Sequence, residues 1–459
     1  MRNEGSISIL VLVMGVVMSI TIGGLALFGS VEYTNARRNE AYEKAISVAE
    51  AGVYYYRWHL AHDPEDYFDG TGQPGVYEHE YLDPQGASVG RYRLTVTPPD
   101  EGSEVVTVKS VGWTNEFSNI KRTVTAKFGP ETLTKFSFLH NANAWFGQGI
   151  TVYGEVFSNG GIRMDGINQS IVRSAKATYT CGTETGCWPS QNKPGVWGSG
   201  GPSDLWEYPV PTFDFNGVVT DFSAMKTAAQ TTGVYLPHTS SYGYHLVFYA
   251  DGSVRVYRVT KVNNLKGDDG NNCVNLYQGI NRQTLIGTYQ LTDKKIFYAE
   301  DPVWVEGTVK GKATVVAARL PVNTYSTDMW IYDNVLYDVK DGSTSLGLIA
   351  QNDVIFARNI PNDFEIDAAL MAQSGRVIRH DYNYWYCATS SYAIRNKLTI
   401  YGSVISSEKS YWNYSSGSTL ISGFHDRDIT FNQDSSELPP PYFPTYGSVK
   451  ILSWEEDAN

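Results

Sequence analysis

Gly5-SISILVLVMGVVMSITIGGLALFGS-Val31 is the stretch from which the rest of the chain is read. It carries no charge, and Ile7, Leu10, Leu12, Ile20, Ile22 and Leu25 are among its many apolar side chains. As a helix rising about 1.5 Å per residue it reaches roughly 40 Å, more than a hydrocarbon core of about 30 Å. Inside lipid every backbone N–H and C=O must be bonded within the segment, so helix is the form expected. A cleavable secretory signal is the competing reading. Against it, the apolar run is longer than an h-region of about 7–15 residues, and no small-x-small site precedes a polar start.

The helical pattern continues past the apolar run. From Glu32 to His62 there is no proline, and Ala36, Ala41, Ala45, Val48, Ala49, Gly52 and Val53 recur at three- and four-residue steps. Arg37, Arg38, Glu40, Glu43, Lys44 and Glu50 fill the positions between them, which makes this half amphipathic. Asp63-Pro64 then stops it, because a residue before proline is pushed out of the α region. A stripe of small residues suits close packing on other helices or on a sheet. The expected opening is therefore one rod, with a possible leader at 1–5, a membrane half at 6–31 and an amphipathic half at 32–62.

A short leader ending in Gly5, an apolar helix directly after it, and Ala45-Ile-Ser-Val-Ala-Glu-Ala-Gly52 resemble the N-terminus of type IV pilins, the PilX-like minor pilins in particular. The resemblance covers about the first 60 residues and, weakly, the next 70. It implies cleavage between Gly5 and Ser6, and a filament-packing helix that includes Leu10, Ala41, Ala45, Val48, Ala49, Glu50 and Gly52. It also implies other pilin subunits as partners and membrane lipid before assembly. Two positions depart from the pattern. Glu4 stands where leaders carry a basic residue, and the fifth position after Gly5 is Leu10, where major pilins carry Glu. In the family that Glu pairs with the terminal amine of the neighbouring subunit. A subunit that begins a filament has no neighbour ahead of it, and an unpaired carboxylate in lipid is costly. The loss points to a minor or initiating subunit.

Of the 459 residues about 400 lie beyond the rod, ample for two or three domains. Charged residues make up only 18 %, with 43 glycines and 32 tyrosines, a balance that favours β-rich extracellular architecture. A net charge of −12 without clustered Lys and Arg argues against nucleic acid. Cys181 and Cys187 look like a small loop bridge, whereas Cys273 and Cys387 could meet only through the fold. Four cysteines allow three pairings, and the sequence does not choose between them. No CxxC or paired His accompanies them, so zinc is disfavoured.

Residues 63–75 are acidic and turn-rich and read as a solvated linker, with calcium as the rival. Alternating runs at 76–82, 89–97, 104–113 and 119–128 predict four antiparallel strands packed on the rod, giving a pilin-type head over 63–130. Past Gly129-Pro130 a short unit recurs: Ile150 to Val156, Val303 to Val309, Met329 to Val335 and Leu398 to Val404, with looser forms at Leu348 to Val354 and Phe364 to Leu370. Each places apolar residues at positions one and seven and tolerates a bend at five. The fold class expected is mainly β with a long N-terminal helix. Residues 131–185 and 290–435 are expected to form a right-handed parallel β-helix, the alternative being a β-sandwich. The stretch 186–289 reads as an insertion, with a helix at Phe222–Thr232 capped by Asp221 and a hairpin from Gly243 to Val259 turned at Asp251-Gly252. Lys266 to Asn272 reads as an exposed loop. Residues 436–459, with Pro439-Pro-Pro441 and Pro444, read as an extended tail barred from a central strand.

No nucleophile, metal or nucleotide motif occurs in a convincing setting, so neither cofactor nor metal is expected. His380-Asp381 is the most chemical-looking pair. Glu155, Glu306, Asp333 and Asp353 occupy comparable places in strand units; stacked, they could bind calcium or act as acid and base. Tyr382, Tyr384, Trp385, Tyr386, Tyr411, Trp412 and Tyr414 are candidate contacts for a glycan or protein ligand. The reading is a non-catalytic subunit of a type IV pilus or related secretion filament, with the large β domain as cap, spacer or adhesin. A membrane-anchored glycan-binding protein and a tethered β-helix lyase or hydrolase are the alternatives.

Overall fold

The computed structural model describes residues 5–215, 218–270, 272–322, 324–416, 419–432 and 438–457. The leader residues 1–4 lie outside them. Helix α1 runs unbroken from Gly5 to His62, and its apolar half is long and apolar enough to cross a membrane. The chain divides into two compact units: Met1–Pro99, Val105–Gly129 and Val449–Asn459 form one, Asp100–Glu104 and Pro130–Ser448 the other.

In the first unit β1 (Val76–Leu82), β2 (Ser88–Thr97), β3 (Val106–Thr114) and β4 (Lys121–Thr132) are neighbours in chain order, paired antiparallel. Alternation sets the faces. Tyr92 and Leu94 are buried, while Arg91 and Arg93 point away and share Glu78 at 3.0 and 3.1 Å. A fifth strand, Thr445–Glu456, lies beside β4 at the sheet's edge. The expected tail is thus a strand, and its prolines precede the paired residues. Asp457 Oδ2 accepts from Lys109 Nζ at 2.7 Å, its Oδ1 accepts from Thr125 Oγ1, and Glu456 pairs with Arg122.

The second unit holds a mixed, unclosed sheet of 21 strands. Most of its pairs are parallel and fall into rows. One row runs through Val234–Leu236, Ile296–Ala299, Lys312–Ala317, Ser345–Ala350 and the end of Asp363–Ala372. It continues through the end of Ile394–Ser406 to Phe136–His140, Glu155–Ser158 and Val172–Ser174. A second row joins Gly243–Phe248, the starts of Val303–Val309 and Met329–Tyr337, Val354–Phe356 and Val377–Arg379. The recurring units account for these registers. Leu398 lies opposite Phe364, Ile400 opposite Ile366 and Val404 opposite Leu370.

Strands of the first row are apolar at nearly every position, because both of their faces are covered. Leu346, Leu348 and Ala350 join the large core inside the rows, while Ile349 joins a second core with Phe215, Phe222, Met225 and Phe443. Residues 186–289 are therefore an excursion from the stack only in part. Strands 234–236 and 243–248 belong to its rows, so the rows begin before 290. The helix observed is α2 (Val218–Thr231), which places Asp221 inside it and not at its cap. The hairpin at Gly243 pairs as expected, Gly243 opposite Val259 and Phe248 opposite Val254. Its second strand runs on to Asp268 and pairs with Cys273–Gln290, so Lys266 to Asp268 of the expected loop are strand, while Asp269, Gly270 and Asn272 lie in the turn.

Candidate functional site

Between Ile7 and Phe28 the large apolar side chains of α1 are 51–71 % exposed. An apolar surface of this extent is not stable in water and needs lipid or other helices around it. Three hydroxyls of the helix are satisfied by its own backbone: Ser19 donates to the Gly15 carbonyl, Thr21 to Val17 and Thr34 to Ser30. Leu10 lies on this exposed half.

The small-residue stripe is used differently. Ala41, Ala45, Val48, Ala49 and Gly52 are buried, and Val48 and Ala49 join Tyr92, Leu94, Val108, Val124 and Phe128 of the sheet in one core. A Cβ on Gly112 would stand 2.3 Å from the Ala49 nitrogen and 2.5 Å from the Ala45 oxygen, and a Cβ on Gly52 would stand 2.4 Å from Ser110 Oγ. Helix and strand touch backbone to backbone, which only glycine at 112 permits. A side chain covered by its own sheet has no surface left for a neighbouring helix. Of the residues expected to pack a filament, Leu10 is free and Glu50 half-buried; Ala41, Ala45, Val48, Ala49 and Gly52 are spent within the unit. The acidic linker is pinned as well. Asp66 accepts from the Phe68 and Gly70 N–H groups and meets His59 Nε2 at 3.0 Å, while Asp69 meets Tyr55 and His79.

Among solved structures the chain is similar to the crystal structure of the competence-associated pilin ComZ from Thermus thermophilus, at 14 % identity. The likeness covers 91 % of this chain and 97 % of that one, with a TM-score of 0.34. At that score it fixes neither fold nor role. No known protein family matches the chain, and no curated protein does.

The seven candidate recognition aromatics separate by burial. Tyr382 and Trp412 are core residues, Tyr384, Tyr411 and Tyr414 are half-buried, and only Trp385 (82 % exposed) and Tyr386 (53 %) face solvent. These two sit at the turn of a hairpin, Asn383–Tyr384 against Ala388–Thr389. The bridges are Cys181–Cys187 and Cys273–Cys387, and the second ties the aromatic hairpin to the tip of the long one. Sequence reasoning missed a ladder beneath the outer half of that long hairpin. Trp304, Trp330, Ile355 and Ile378 lie opposite one another in successive strands and are covered by Val259, Leu276 and Tyr382. The signal was present as Val303-Trp-Val and Met329-Trp-Ile in the repeated units.

The four carboxylates do not stack. Glu155 is held by Arg173, Glu306 lies 3.3 Å from His245, Asp333 is exposed, and Asp353 pairs with Arg376 at 3.4 Å. Met329 opposes Val354, which sets Asp353 level with Asp328 and not with Asp333. His380 is buried, and burial holds its pKa down to about 3, a neutral core imidazole with no base chemistry to offer. Among the described residues no group of three His, Cys, Asp or Glu could hold a metal ion. Burial, and then the charge of Asp353, push the Asp328 carboxyl up to about 6. A raised carboxyl stabilises the fold fully below its unfolded value, and that contribution fades as pH rises through about 6. Asn at 328 retains the oxygen that accepts from Asn352 Nδ2 and the Asp353 N–H. Asp328→Asn is therefore expected to melt a few degrees above wild type at pH 7.5 and no higher at pH 4, measured by calorimetry.

Proposed function

We propose that this chain is a non-catalytic minor-pilin-like subunit of a type IV pilus or related secretion filament, set at or near the tip. In this reading α1 anchors the protein in the membrane as a single pass and later in a filament core, and the β-rich part lies outside the cytoplasm. The observation that carries it is one unbroken helix whose first half is bare and apolar and whose second half is roofed by the protein's own sheet. Support for the tip comes from Leu10, which leaves no acid to pair with a subunit ahead, and from the bulk of the second unit, which would crowd a filament if repeated on every subunit. We read that unit as a parallel β-solenoid serving as spacer, cap or adhesin. The in-register parallel rows, each covering the apolar face of the last, support this. Glycan or protein ligands are proposed for it, and nucleic acid is not.

Sheared surface fibres are expected to contain the protein with a new N-terminus at Ser6. Intact Met1 confined to the membrane fraction would overturn the filament reading. Ile20→Lys places a charge in mid-helix at a cost of about 3 kcal/mol. It is expected to abolish recovery of the protein in fibres while both β units still fold.

A further inference from the structure

A cavity of about 240 Å³ lies in the second unit between the loop at 407–413 and the segment Ala144–Ile150. Its walls are apolar and aromatic, formed by Phe138, Phe146, Ile150, Trp412 and Ile429, with Trp145 at 42 % exposure also lining it. Three nitrogen-bearing side chains line the same space. Arg427 has no anionic partner among the described residues, and nothing but burial acts on its charge. Lys409 donates to the Glu184 backbone carbonyl, and burial depresses its pKa against the opposing charge of Glu184. His140 is 4 % exposed, and its Nε2 has no hydrogen-bond partner.

Two half-buried cations, of which Arg427 lacks an anion, and an unpaired buried imidazole nitrogen favour a negative, hydrogen-bonding occupant in a pocket with apolar walls. Drug-sized ligands fill pockets of about 300–1,000 Å³, so this one fits a single ring. Trp145, which carries Arg163 4.5 Å from its ring centre, is exposed enough to offer an indole face to the flat C–H face of a pyranose, and Trp412, stacked on Phe356, backs the cavity. Ser410 and Asn413 line the cavity too and offer hydroxyl partners. We propose that this cavity binds the uronic acid residue of an acidic glycan, its carboxylate held by Arg427 and Lys409 and its ring laid against tryptophan. The inference concerns ligand binding by the isolated chain and stands apart from filament membership.

The test is saturation-transfer NMR and calorimetric titration of the full chain in detergent with methyl glucuronide and methyl glucoside. Wild type is expected to bind the glucuronide at millimolar concentration and the neutral glucoside at least tenfold more weakly. Arg427→Gln and Lys409→Gln are each expected to lose at least tenfold, while Trp385→Ala, on the exposed hairpin, leaves binding unchanged. Equal affinity for the neutral sugar would overturn the proposal, as would no binding to wild type. Binding of benzoate or sulfate with the glucuronide excluded would overturn the sugar assignment. The two sugars are compared on wild type, which needs no variant to fold, so a variant lost to misfolding still leaves the proposal open to refutation.

Discussion

Gly112→Val is expected to lower the melting transition of the first unit by roughly 10 °C. The reason lies at the contact between α1 and β3, where a Cβ would stand 2.3 Å from a helix nitrogen and 2.5 Å from a helix oxygen. Both atoms belong to helix backbone and cannot swing aside, so the helix must lift. Lifting it uncovers Val48, Ala49, Val53 and Tyr56, all at most 1 % exposed. Overpacking alone costs up to about 3 kcal/mol, and the lost burial adds to it. For a unit of this size that corresponds to a shift of the stated order. Gly112→Ala is expected to move the transition in the same direction by less. A Gly112→Val protein that melts like wild type in detergent would show that the helix is not seated on the strand.

The second large effect is expected at Trp304. It is 1 % exposed, its Nε1 donates to the Gln278 carbonyl at 2.9 Å, and it lies opposite Trp330 under the outer half of the long hairpin. Trp304→Ala removes a large buried ring and orphans that carbonyl, at a cost of about 3–5 kcal/mol. Trp304→Phe keeps most of the burial and loses the hydrogen bond, at about 1–2 kcal/mol. The hairpin gains its cover from this ladder, so limited proteolysis between 260 and 285 is expected to accelerate strongly in Trp304→Ala and mildly in Trp304→Phe. Unchanged cleavage in both would mean that the Cys273–Cys387 bridge alone holds the hairpin down.

The first unit was largely legible from its residues. Arg91 to Thr97 alternates cleanly, and β1 to β4 begin and end within a few residues of the predicted runs, because a sheet with one solvated face writes its period into the sequence. The rod was legible because charge is absent from one half and proline from both. The second unit hid more. Its first-row strands are covered on both faces, so Leu346-Gly-Leu-Ile-Ala350 and Ala368-Ala-Leu-Met-Ala372 carry no period to read, and nothing local says which strand lies beside which. Asp268-Asp-Gly-Asn-Asn272 reads as an exposed loop because turn residues dominate it, yet Asp268 is a buried strand end bonded to Asp381. Aromatic clusters were visible as clusters only. Composition does not distinguish Tyr382, fully buried, from Trp385, almost fully exposed, since both kinds of site reward a large amphipathic ring.

The strand Phe136–His140 lies between Glu155–Ser158, made soon after it, and Ile394–Ser406, made close to the end of synthesis. A chain made from its N-terminus holds that edge unpaired through most of its synthesis. Non-local closure of this kind is slow, and an unpaired edge invites pairing with foreign strands. Folding of this protein thus becomes a race between completing its own sheet and aggregation, one in which a chaperone would have its greatest effect before residue 394 is made.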